Sequence, residues 1–403
     1  MTTTLMSIDS LHSLKSSFLN LNQKNYITIE YIWLGGLGNI KSKLYSFKSE
    51  VFDENQNKYV FKPIDDIKQV PKWSYDGSRT FQTSKSLADI QLIPVMLYND
   101  PFRGNPNKLV LCEAYYADGT PTDSNFRHFA TKCFTEQNIK KHEPWFGIEQ
   151  EYLLLEFTGT ELKWPYGWTK GQFVDKDGNY YCANGKHLAF GRPIIEAHLK
   201  ACLFAGIKIY GINSEDIPSQ WEFQIGTATG IRTADDLIMA RFILIRVAEA
   251  YGVSIGFDAK FFKDWSGNGG HTNFSTKQTR EKGGMDLIIN EHMPKLEKYH
   301  KEFIYLYGEG NDLRLKGIFD APDINKFEYG VMDRKASVRI PSTTKENKGG
   351  YYEDRRPAAN VDPYIAMSLI YSVTCLEDNI IPEITNQYKK LLDNIKRFKL
   401  GII

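Results

Sequence analysis

Residues 144–155 constrain this chain more than any other stretch, because they combine a strand-like pattern with two carboxylates. Apolar and aromatic residues dominate, as is typical of a strand. Side chains alternate between the faces of a strand, so Glu149 and Glu151 share one face and Gln150 lies on the other. Two buried neighbouring carboxylates repel each other unless a cation lies between them or one holds a proton. A divalent cation is the simplest solution, although this stretch alone favours a half-exposed strand with solvated glutamates.

The length and composition of the chain are compatible with two domains and give no support for a membrane-spanning or nucleic-acid-binding protein. The 403 residues are 42% hydrophobic, and no apolar run approaches membrane-spanning length. The formal net charge of +1 gives no general case for binding nucleic acid or membranes. The 5 cysteines are dispersed without C-x-x-C pairs, which predicts reduced thiols in a cytoplasmic protein. Residues 1–24 carry little positive charge and predict an N-terminal arm or short helix, not a targeting signal.

Alternating, β-branched runs predict a small mixed-sheet domain over residues 25–120, and a larger domain over residues 121–403. A linker is expected at 117–128. The strands of the first domain are predicted at 26–35, 41–47, 90–98 and 108–115. The second domain is predicted to have further strands at 207–212 and in the second half of 213–224, and helices at 194–205, 233–251, 284–306 and 363–376. Thr233 suits the cap of one helix and Gly206 the end of another.

Three further acids share the apolar or aromatic, strand-like setting of Glu149 and Glu151. They are Glu215, Glu222 and Glu353. Any one of them alone is more typical of a surface carboxylate, since charged side chains are seldom buried without a partner. Five such acids, with His271 after a glycine-rich run, are typical of ligands for hard cations. Oxygen ligands with one imidazole suit Mg²⁺ or Mn²⁺ better than Zn²⁺, and five carboxylates suggest two or more ions.

The last quarter of the chain is rich in arginine. The cluster comprises Arg314, Arg334, Arg339, Arg355 and Arg356. It fits either a solvated basic strip or recognition of phosphate and carboxylate by planar guanidinium groups. The flanking β-branched residues of Arg339 favour the second interpretation. The glycine-rich run at 267–270 lets backbone approach a ligand closely, although it lacks the ending of a Walker P-loop. Together, these features point to phosphoryl transfer from a nucleotide.

Two long segments, 218–224 and 353–358, carry a specific resemblance to glutamine synthetase of the eukaryotic (type II) class. Further matching segments lie at 73–77, 100–112, 146–152, 211–226, 270–276, 334–341 and 350–364. The resemblance implies an α+β fold, with an N-terminal β-grasp domain before a catalytic domain whose curved antiparallel sheet forms a half barrel flanked by helices. It also implies a decamer of two pentameric rings, with active sites between subunits, and the synthesis of glutamine from glutamate, ammonium and ATP.

The resemblance also implies roles for individual residues. One Mg²⁺ or Mn²⁺ ion would be held by Glu151, Glu215 and Glu222, and another by Glu149, His271 and Glu353. Arg339 and Arg355 would contact the transferring phosphoryl group. Glutamate would be bound by Arg314, Arg334, Gly267 and His271, and ATP by Trp145, Phe274, Ser275, Tyr351 and Arg339. Asp76, supplied by the neighbouring subunit, would take a proton from ammonium, and Asp320 would lie on the flap that covers the site.

The chain departs from the family pattern at four positions. The family usually has His-Glu where Phe319 and Asp320 stand, Asn where Ser266 stands, and often Arg where Ser342 stands. The metal and phosphate residues are all present. Two alternatives to ammonia ligation therefore stay open, namely a non-catalytic scaffold of the same fold and a ligase that joins glutamate to a bulkier amine.

Overall fold

The computed structural model describes residues 17–18, 20–83, 88–157, 162–168, 179–376 and 380–400. Most of the predicted N-terminal arm lies outside the described residues. The described part forms a five-stranded sheet, a two-stranded hairpin and a nine-stranded sheet with helices. This is the predicted α+β fold, with a β-grasp domain followed by a curled half-barrel sheet. No helix within the described residues combines the length and the apolar character that crossing a bilayer requires.

The N-terminal sheet is built around four strands of 8 to 11 residues, with a shorter strand of 4 residues at one edge. In chain order the first seven strands are β1 (Tyr26–Leu34), β2 (Ile40–Lys48), β3 (Glu50–Asp53), β4 (Lys58–Phe61), β5 (Trp73–Asp76), β6 (Asp89–Asn99) and β7 (Lys108–Tyr115). The sheet order is β2-β1-β7-β6-β5, while β3 and β4 form the separate hairpin. Its core joins Ile27, Ile29 and Tyr31 of β1 to Ile90 and Leu92 of β6. The four predicted strands of this domain are confirmed, and β3, β4 and β5 are additions.

The catalytic sheet takes its strands from most of the remaining chain. They are β8 (Trp145–Phe157), β9 (Leu162–Pro165), β10 (Ile209–Ser214), β11 (Gln220–Thr229), β12 (Ser254–Gly256), β13 (Gly270–Ser275), β14 (Tyr329–Val331), β15 (Val338–Ile340) and β16 (Tyr352–Asp354). The order is β10-β11-β8-β13-β16-β15-β14, and β9 and β12 also pair with β8. Strand β8 therefore has four partners and organises the sheet.

Helices cover the sheet and join it to the N-terminal domain. They are α1 (Arg127–Cys133), α2 (Glu136–His142), α3 (Arg192–Ala205), α4 (Arg232–Ala250), α5 (Lys277–Arg280), α6 (Gly284–Leu287), α7 (Met293–Lys298), α8 (His300–Leu306), α9 (Asn311–Arg314), α10 (Ser342–Glu346), α11 (Pro363–Cys375) and α12 (Ile381–Lys399). The helix predicted at 284–306 is interrupted by a π-helical turn at Ile288–His292 and again near Tyr299. Helix α12 is an addition to the predicted elements.

The alternation predicted for β8 is confirmed. Glu149 and Glu151 face a cavity, whereas Gln150 is fully buried on the opposite face. There the Gln150 side-chain oxygen accepts a 2.8 Å hydrogen bond from the Nε of Arg241, on α4. Because a one-residue slip would exchange these faces, the buried Gln150–Arg241 contact helps to fix the direction of the two glutamates.

Two details differ from the sequence prediction. Thr233 does not cap α4, because that helix starts at Arg232; its hydroxyl donates to the carbonyl of Phe146 at 3.1 Å and so ties α4 to β8. The predicted linker at 117–128 is packed instead of free, since Ser124 donates to the Leu34 carbonyl at 3.0 Å. Gly206 does end α3, with a positive φ of +87°.

Candidate active site

An acidic cavity of about 320 Å³ opens on the face of β8 that bears the two glutamates. It is lined by the predicted acids Glu149, Glu151, Glu215 and Glu222, by His271, and by Arg314, Arg334, Arg339 and Arg355. Gly267 and Asp320 also line it. Glu353 is fully buried beside it and contacts His271 and two of the arginines. The structure therefore brings together nearly all of the residues predicted for metal and phosphate.

Strand pairing explains why residues so distant in sequence meet here. Glu222 on β11 stands directly opposite Glu151 on β8. On the other side of β8, His271 on β13 stands directly opposite Glu149. Two strands further, Arg339 on β15 stands opposite Glu353 on β16. Because directly opposed residues of an antiparallel pair point to the same side, the register places these side chains on one surface.

Neutral donors orient the carboxylates without neutralising them. Three side-chain amides each donate one hydrogen bond: Asn273 to Glu149 at 2.9 Å, Asn213 to Glu215 at 2.7 Å, and Gln224 to Glu222 at 2.8 Å. The backbone amide of Gly269 donates to Glu151 at 2.9 Å. An amide fixes the direction of a carboxylate but carries no charge. The acids are thus held in place while their negative charges remain available to a ligand.

The raised pKa values of three of these glutamates reflect the negative charge that no cation compensates. Burial raises the pKa of Glu151 to about 7, partly offset by Arg314. Burial, with the neighbouring Glu151, raises the pKa of Glu215 well above its ordinary value. Burial and the nearby Glu149 and Glu151 do the same for Glu222. Like charges crowded in a low-dielectric cavity resist ionisation, and a divalent cation would reverse that balance.

Glu149, His271 and Glu353 form a compact trio whose potential ligand atoms all lie within 4.8 Å of one another. The His271 Nδ1 lies 3.5 Å from an oxygen of Glu353 and 3.7 Å from one of Glu149. Burial, with Arg355, lowers the pKa of His271 well below its ordinary value. A neutral imidazole is the form that binds a metal. Two carboxylates with one neutral imidazole therefore fit a divalent cation.

The predicted arginines separate into two groups. Arg339 and Arg355 each donate from Nη1 to Glu353 at 2.6 Å, and both residues line the cavity. Arg356 instead points to the opposite side, where its Nη2 pairs with buried Asp354 at 2.7 Å. Strand alternation after β16 accounts for the difference. Arg356 is therefore a residue of the protein interior.

Arg314 lines the acidic cavity from α9. Its guanidinium donates to Asn311 at 3.0 Å and to the carbonyl of Arg355 at 2.8 Å, and its Nη2 lies 3.2 Å from Nε2 of His271. Burial lowers the pKa of Arg314 to about 10. That value still leaves the guanidinium charged at neutral pH, so Arg314 can attract a substrate carboxylate.

Backbone amides of the glycine-rich run form hydrogen bonds with other groups of the protein. The Gly269 amide donates to Glu151, and the Gly270 amide donates to the carbonyl of Pro357 at 3.0 Å. A Cβ at Gly269 would lie 2.4 Å from Nε2 of His271. Of the run at 267–270, Gly267 is the residue that lines the acidic cavity. The run thus brings the backbone close to His271 and Glu151.

A second cavity of about 420 Å³ adjoins the first, since Glu149 and Gln224 line both. The predicted ATP-binding residues Trp145, Phe274, Ser275 and Tyr351 border it, whereas Arg339 lines the acidic cavity. Trp145 is exposed, but Phe274 is fully buried, with its ring 4.7 Å from that of Phe146. The side chain of Phe274 therefore belongs to the core beneath this cavity.

Arg280 is a residue of the second cavity that the sequence analysis missed. Its guanidinium carbon lies 3.7 Å from the ring centroid of Trp145, and its Nη1 donates to the Ser275 hydroxyl at 3.0 Å. An arginine stacked on an indole forms a flat platform suited to an aromatic base. Arg280 lies five residues after the end of β13, at the end of α5, and no short sequence pattern identifies its contact with Trp145.

The acidic cavity also gains polar residues that the sequence analysis did not select. They include Tyr181, Asn213, Asp216 and Gln224. Asp216 accepts a 3.2 Å hydrogen bond from Ser266, one of the positions that depart from the family pattern. Gln224 lies two residues after Glu222 and Asn213 two before Glu215. On β11 this same-face spacing identifies Gln224, whereas Glu215 follows the end of β10, so the spacing does not identify Asn213.

The flap residues close one side of the acidic cavity. Phe319 and Asp320 line it together with Ala321. Both Phe319 and Asp320 have positive φ angles, +53° and +55°. The carbonyl of Asp320 accepts a 3.2 Å hydrogen bond from Nη2 of Arg355. The flap backbone is thus joined directly to an arginine of the site.

Asp76 lies at the end of β5 and lines neither of the two cavities. It is exposed and caps a short 3-10 turn, where Ser78 donates from its amide at 2.9 Å and from its hydroxyl at 2.6 Å. These hydrogen bonds lower the pKa of Asp76 and favour the anion. Among the described residues, none from the N-terminal sheet lines either cavity. Asp76 is not brought to the site within one chain.

The fold and the two cavities define a class of protein. Carboxylates and an imidazole suit hard divalent cations, and the arginines beside them suit phosphate. The adjoining aromatic cavity suits a nucleotide base. A curled antiparallel sheet with these sites on one surface belongs to a metal-dependent enzyme that transfers a phosphoryl group from a nucleotide.

Comparison with known proteins gives the particular family. Residues 124–304 match the family described as glutamine synthetase, catalytic domain. The chain is 46% identical over 360 residues to glutamine synthetase cytosolic isozyme 1-5 of Arabidopsis thaliana, covering 89% of this chain and 97% of that protein. It is also 46% identical over 367 residues to glutamine synthetase of Agaricus bisporus, covering 91% and 98%.

A solved structure described as a GmaS/ADP complex superposes with a TM-score of 0.64 and 19% sequence identity, covering 91% of this chain and 80% of that one. This likeness supports the fold alone. The sequence identities over nearly the whole chain are decisive, and the chain belongs to the glutamine synthetase family. It is a glutamate–ammonia ligase, which uses ATP to make glutamine.

Proposed function

We propose that this chain makes glutamine through γ-glutamyl phosphate, with ATP in the aromatic cavity and the chemistry in the acidic cavity. The observation that carries the proposal is the contact between the two cavities at Glu149 and Gln224. A nucleotide whose base lies against Trp145 would extend its phosphates toward the acids and arginines. The γ-phosphate then meets glutamate at the boundary between the cavities.

The carboxylates divide into two metal sites. Glu151, Glu215 and Glu222 would hold one cation, and Glu149, His271 and Glu353 would hold another. Oxygen-rich sites of this composition suit Mg²⁺ or Mn²⁺. The bound cations supply charge compensation for the phosphates of ATP. The amide donors described above keep the acids aligned before any cation arrives.

The first step is phosphoryl transfer to the substrate. An oxygen of the γ-carboxylate of glutamate attacks the γ-phosphorus of ATP, the bond to the bridging oxygen breaks, and ADP leaves. Arg339 and Arg355 face the transferring phosphoryl group and balance its charge. Arg314 and Arg334 attract the carboxylates of glutamate, with Gly267 and His271 beside it. The product is an activated acyl phosphate.

The second step forms the amide. Ammonium has no lone pair, so a base must first remove one proton. Asp76 of a neighbouring subunit serves as that base, because its own chain does not bring it to the cavity. Ammonia then attacks the acyl carbon and phosphate leaves. Asp320 and the flap keep water from hydrolysing the acyl phosphate.

The need for Asp76 supports an oligomer with active sites between subunits, which we propose to be a decamer of two pentameric rings. The protein is proposed to be cytoplasmic, since relatives of similar sequence are named cytosolic isozymes. A bulkier primary amine is a second candidate for the acceptor, favoured by Phe319 and Asp320 on the flap.

A coupled assay tests the proposal. Purified protein with Mg²⁺ and ATP should release phosphate rapidly only when glutamate and an amine are both present. Ammonium should give the highest kcat/KM in a series that includes methylamine, ethylamine and putrescine. A higher kcat/KM for an alkylamine would establish the second candidate. No glutamate-dependent turnover with any amine would contradict both.

A further inference from the structure

Phe319, which stands on the flap where the family usually has His, contacts Lys260 through its aromatic ring. The ring centroid of Phe319 lies 5.0 Å from Nζ of Lys260. Lys260 belongs to the segment between β12 and β13, seven residues before the glycine-rich run. An ammonium within about 6 Å of an aromatic centroid is attracted by the π face. The contact therefore joins Phe319, which lines the acidic cavity, to the segment between β12 and β13.

Lys260 is itself held in a fixed position. Its Nζ donates a short hydrogen bond to the carbonyl of Trp265. The Trp265 ring packs against Phe262 at 4.5 Å and against Trp168 at 4.9 Å between centroids. Lys260 is half-buried, so the lysine stem is also covered. The ammonium is thus presented to the flap from an aromatic cluster.

Ala321 and Pro322 of the flap are buried, but the flap backbone forms few hydrogen bonds to the rest of the described residues. Its amides mainly bond within the loop, as Gly317 to the carbonyl of Pro322 at 3.2 Å and Ala321 to that of Ile318 at 3.1 Å. Left-handed backbone at Phe319 is unfavourable for a residue with a side chain and needs support from its surroundings. The Arg355 bond to the Asp320 carbonyl and the Lys260 contact provide that support on two sides.

We propose that Lys260 is a positioning residue, which holds the flap over the acyl phosphate through its cation–π contact with Phe319. The inference rests on the proposed function in one respect, namely that the flap excludes water. A cation–π contact at a partly exposed site shifts an equilibrium by about 2- to 5-fold. Loss of the contact should therefore open the flap about 2- to 5-fold more often.

A double-mutant cycle tests the contact in the full-length enzyme. The variants are Lys260→Met, Phe319→Leu and the combination, since methionine and leucine keep apolar bulk but remove the cation or the π face. Hydrogen exchange over residues 315–324 reports flap opening. Each single variant should raise the exchange rate about 2- to 5-fold, and the double variant should add little to either. Lys260→Arg, which keeps a cation, should restore near-native exchange.

The matched control is Lys263→Met, which removes a positive charge from an exposed position in the same segment. It should leave exchange at 315–324 unchanged. Effects of Lys260→Met and Phe319→Leu that multiply in the double variant, or no effect of either, would overturn the proposal.

A second readout separates this proposal from the proposed function. Phosphate released per glutamine formed should rise in both single variants if the flap excludes water. If the exchange effects of the two substitutions are coupled but the phosphate-to-glutamine ratio is unchanged, Lys260 positions the flap, and water exclusion does not depend on the flap. If the phosphate-to-glutamine ratio is unchanged and the exchange effects of the two substitutions are independent, neither the positioning role of Lys260 nor water exclusion by the flap holds.

Discussion

Replacing Glu222 by glutamine should stabilise the metal-free protein and weaken its response to metal. Glu222 stands directly opposite Glu151, and both are buried. Two unit charges about 6 Å apart repel by about 3 kcal/mol at an effective dielectric constant of about 20. Partial protonation relieves some of this repulsion at neutral pH. The variant Glu222→Gln keeps the acceptor for Gln224 and should therefore gain about 1–3 kcal/mol.

The effect depends on pH with a definite sign. The pKa of Glu222 in the folded protein is raised well above its ordinary value by burial and by Glu149 and Glu151. A carboxyl group with a raised folded pKa loses stability as pH rises from its unfolded pKa, about 4.3, through the folded value. The variant lacks this loss. Its advantage in EDTA should therefore be larger at pH 8 than at pH 5.

Thermal unfolding measures the prediction directly. In EDTA at pH 8, Glu222→Gln should raise the Tm by about 1–4 °C, because a chain of this length has an unfolding entropy of about 0.8 kcal/mol/K. In excess Mg²⁺ the wild-type Tm should rise more than that of the variant, because ligand binding stabilises only the state that binds it. Glu346→Gln, an exposed acid at the end of α10, is the matched control and should change neither value. A variant less stable than wild type in EDTA at pH 8 would refute the reasoning.

Three further predictions concern the flap, the shared site and the nucleotide. Asp320→Glu should lower the phosphate released per glutamine formed, since a longer carboxylate covers the acyl phosphate better; a native ratio of one, unchanged in the variant, would contradict this. Inactive Asp76→Ala and Arg339→Ala proteins should regain activity when co-assembled, and persistent inactivity of mixed oligomers would contradict a site built from two subunits. Trp145→Ala should weaken ATP binding by about 1–3 kcal/mol, measured by calorimetry, with glutamate binding unchanged as its internal control.

The sequence predicts the central strand well because its pattern is local. Alternation alone separates Glu149 and Glu151 from Gln150, and the structure confirms that separation. The pairing of β8 with β11 and β13 is a property of the whole sheet, and periodicity within one strand does not contain it. Recognition of the family supplied the missing partners, and the observed register explains why Glu222 and His271 lie beside β8.

Other parts of the site were hidden for physical reasons. Strands β14, β15 and β16 have three residues each, too few for a periodic signal, and their neighbours stabilise them. Asn213 and Gln224 are neutral, so a search for charged clusters passes over them. Arg356 resembles its neighbour Arg355 in sequence, yet alternation buries it with Asp354. The stacking of Arg280 on Trp145 depends on how α5 leaves β13, which no short pattern specifies.

The proposed mechanism depends most on phosphoryl transfer to glutamate in the acidic cavity. Isotope transfer measures this step directly, with glutamate labelled by ¹⁸O in its γ-carboxylate. Attack of a carboxylate oxygen on the γ-phosphorus leaves that oxygen in the phosphate when ammonia displaces it. Mass spectrometry of the released phosphate should therefore find one ¹⁸O atom for each glutamine formed. Glutamine formed together with unlabelled phosphate would contradict the account.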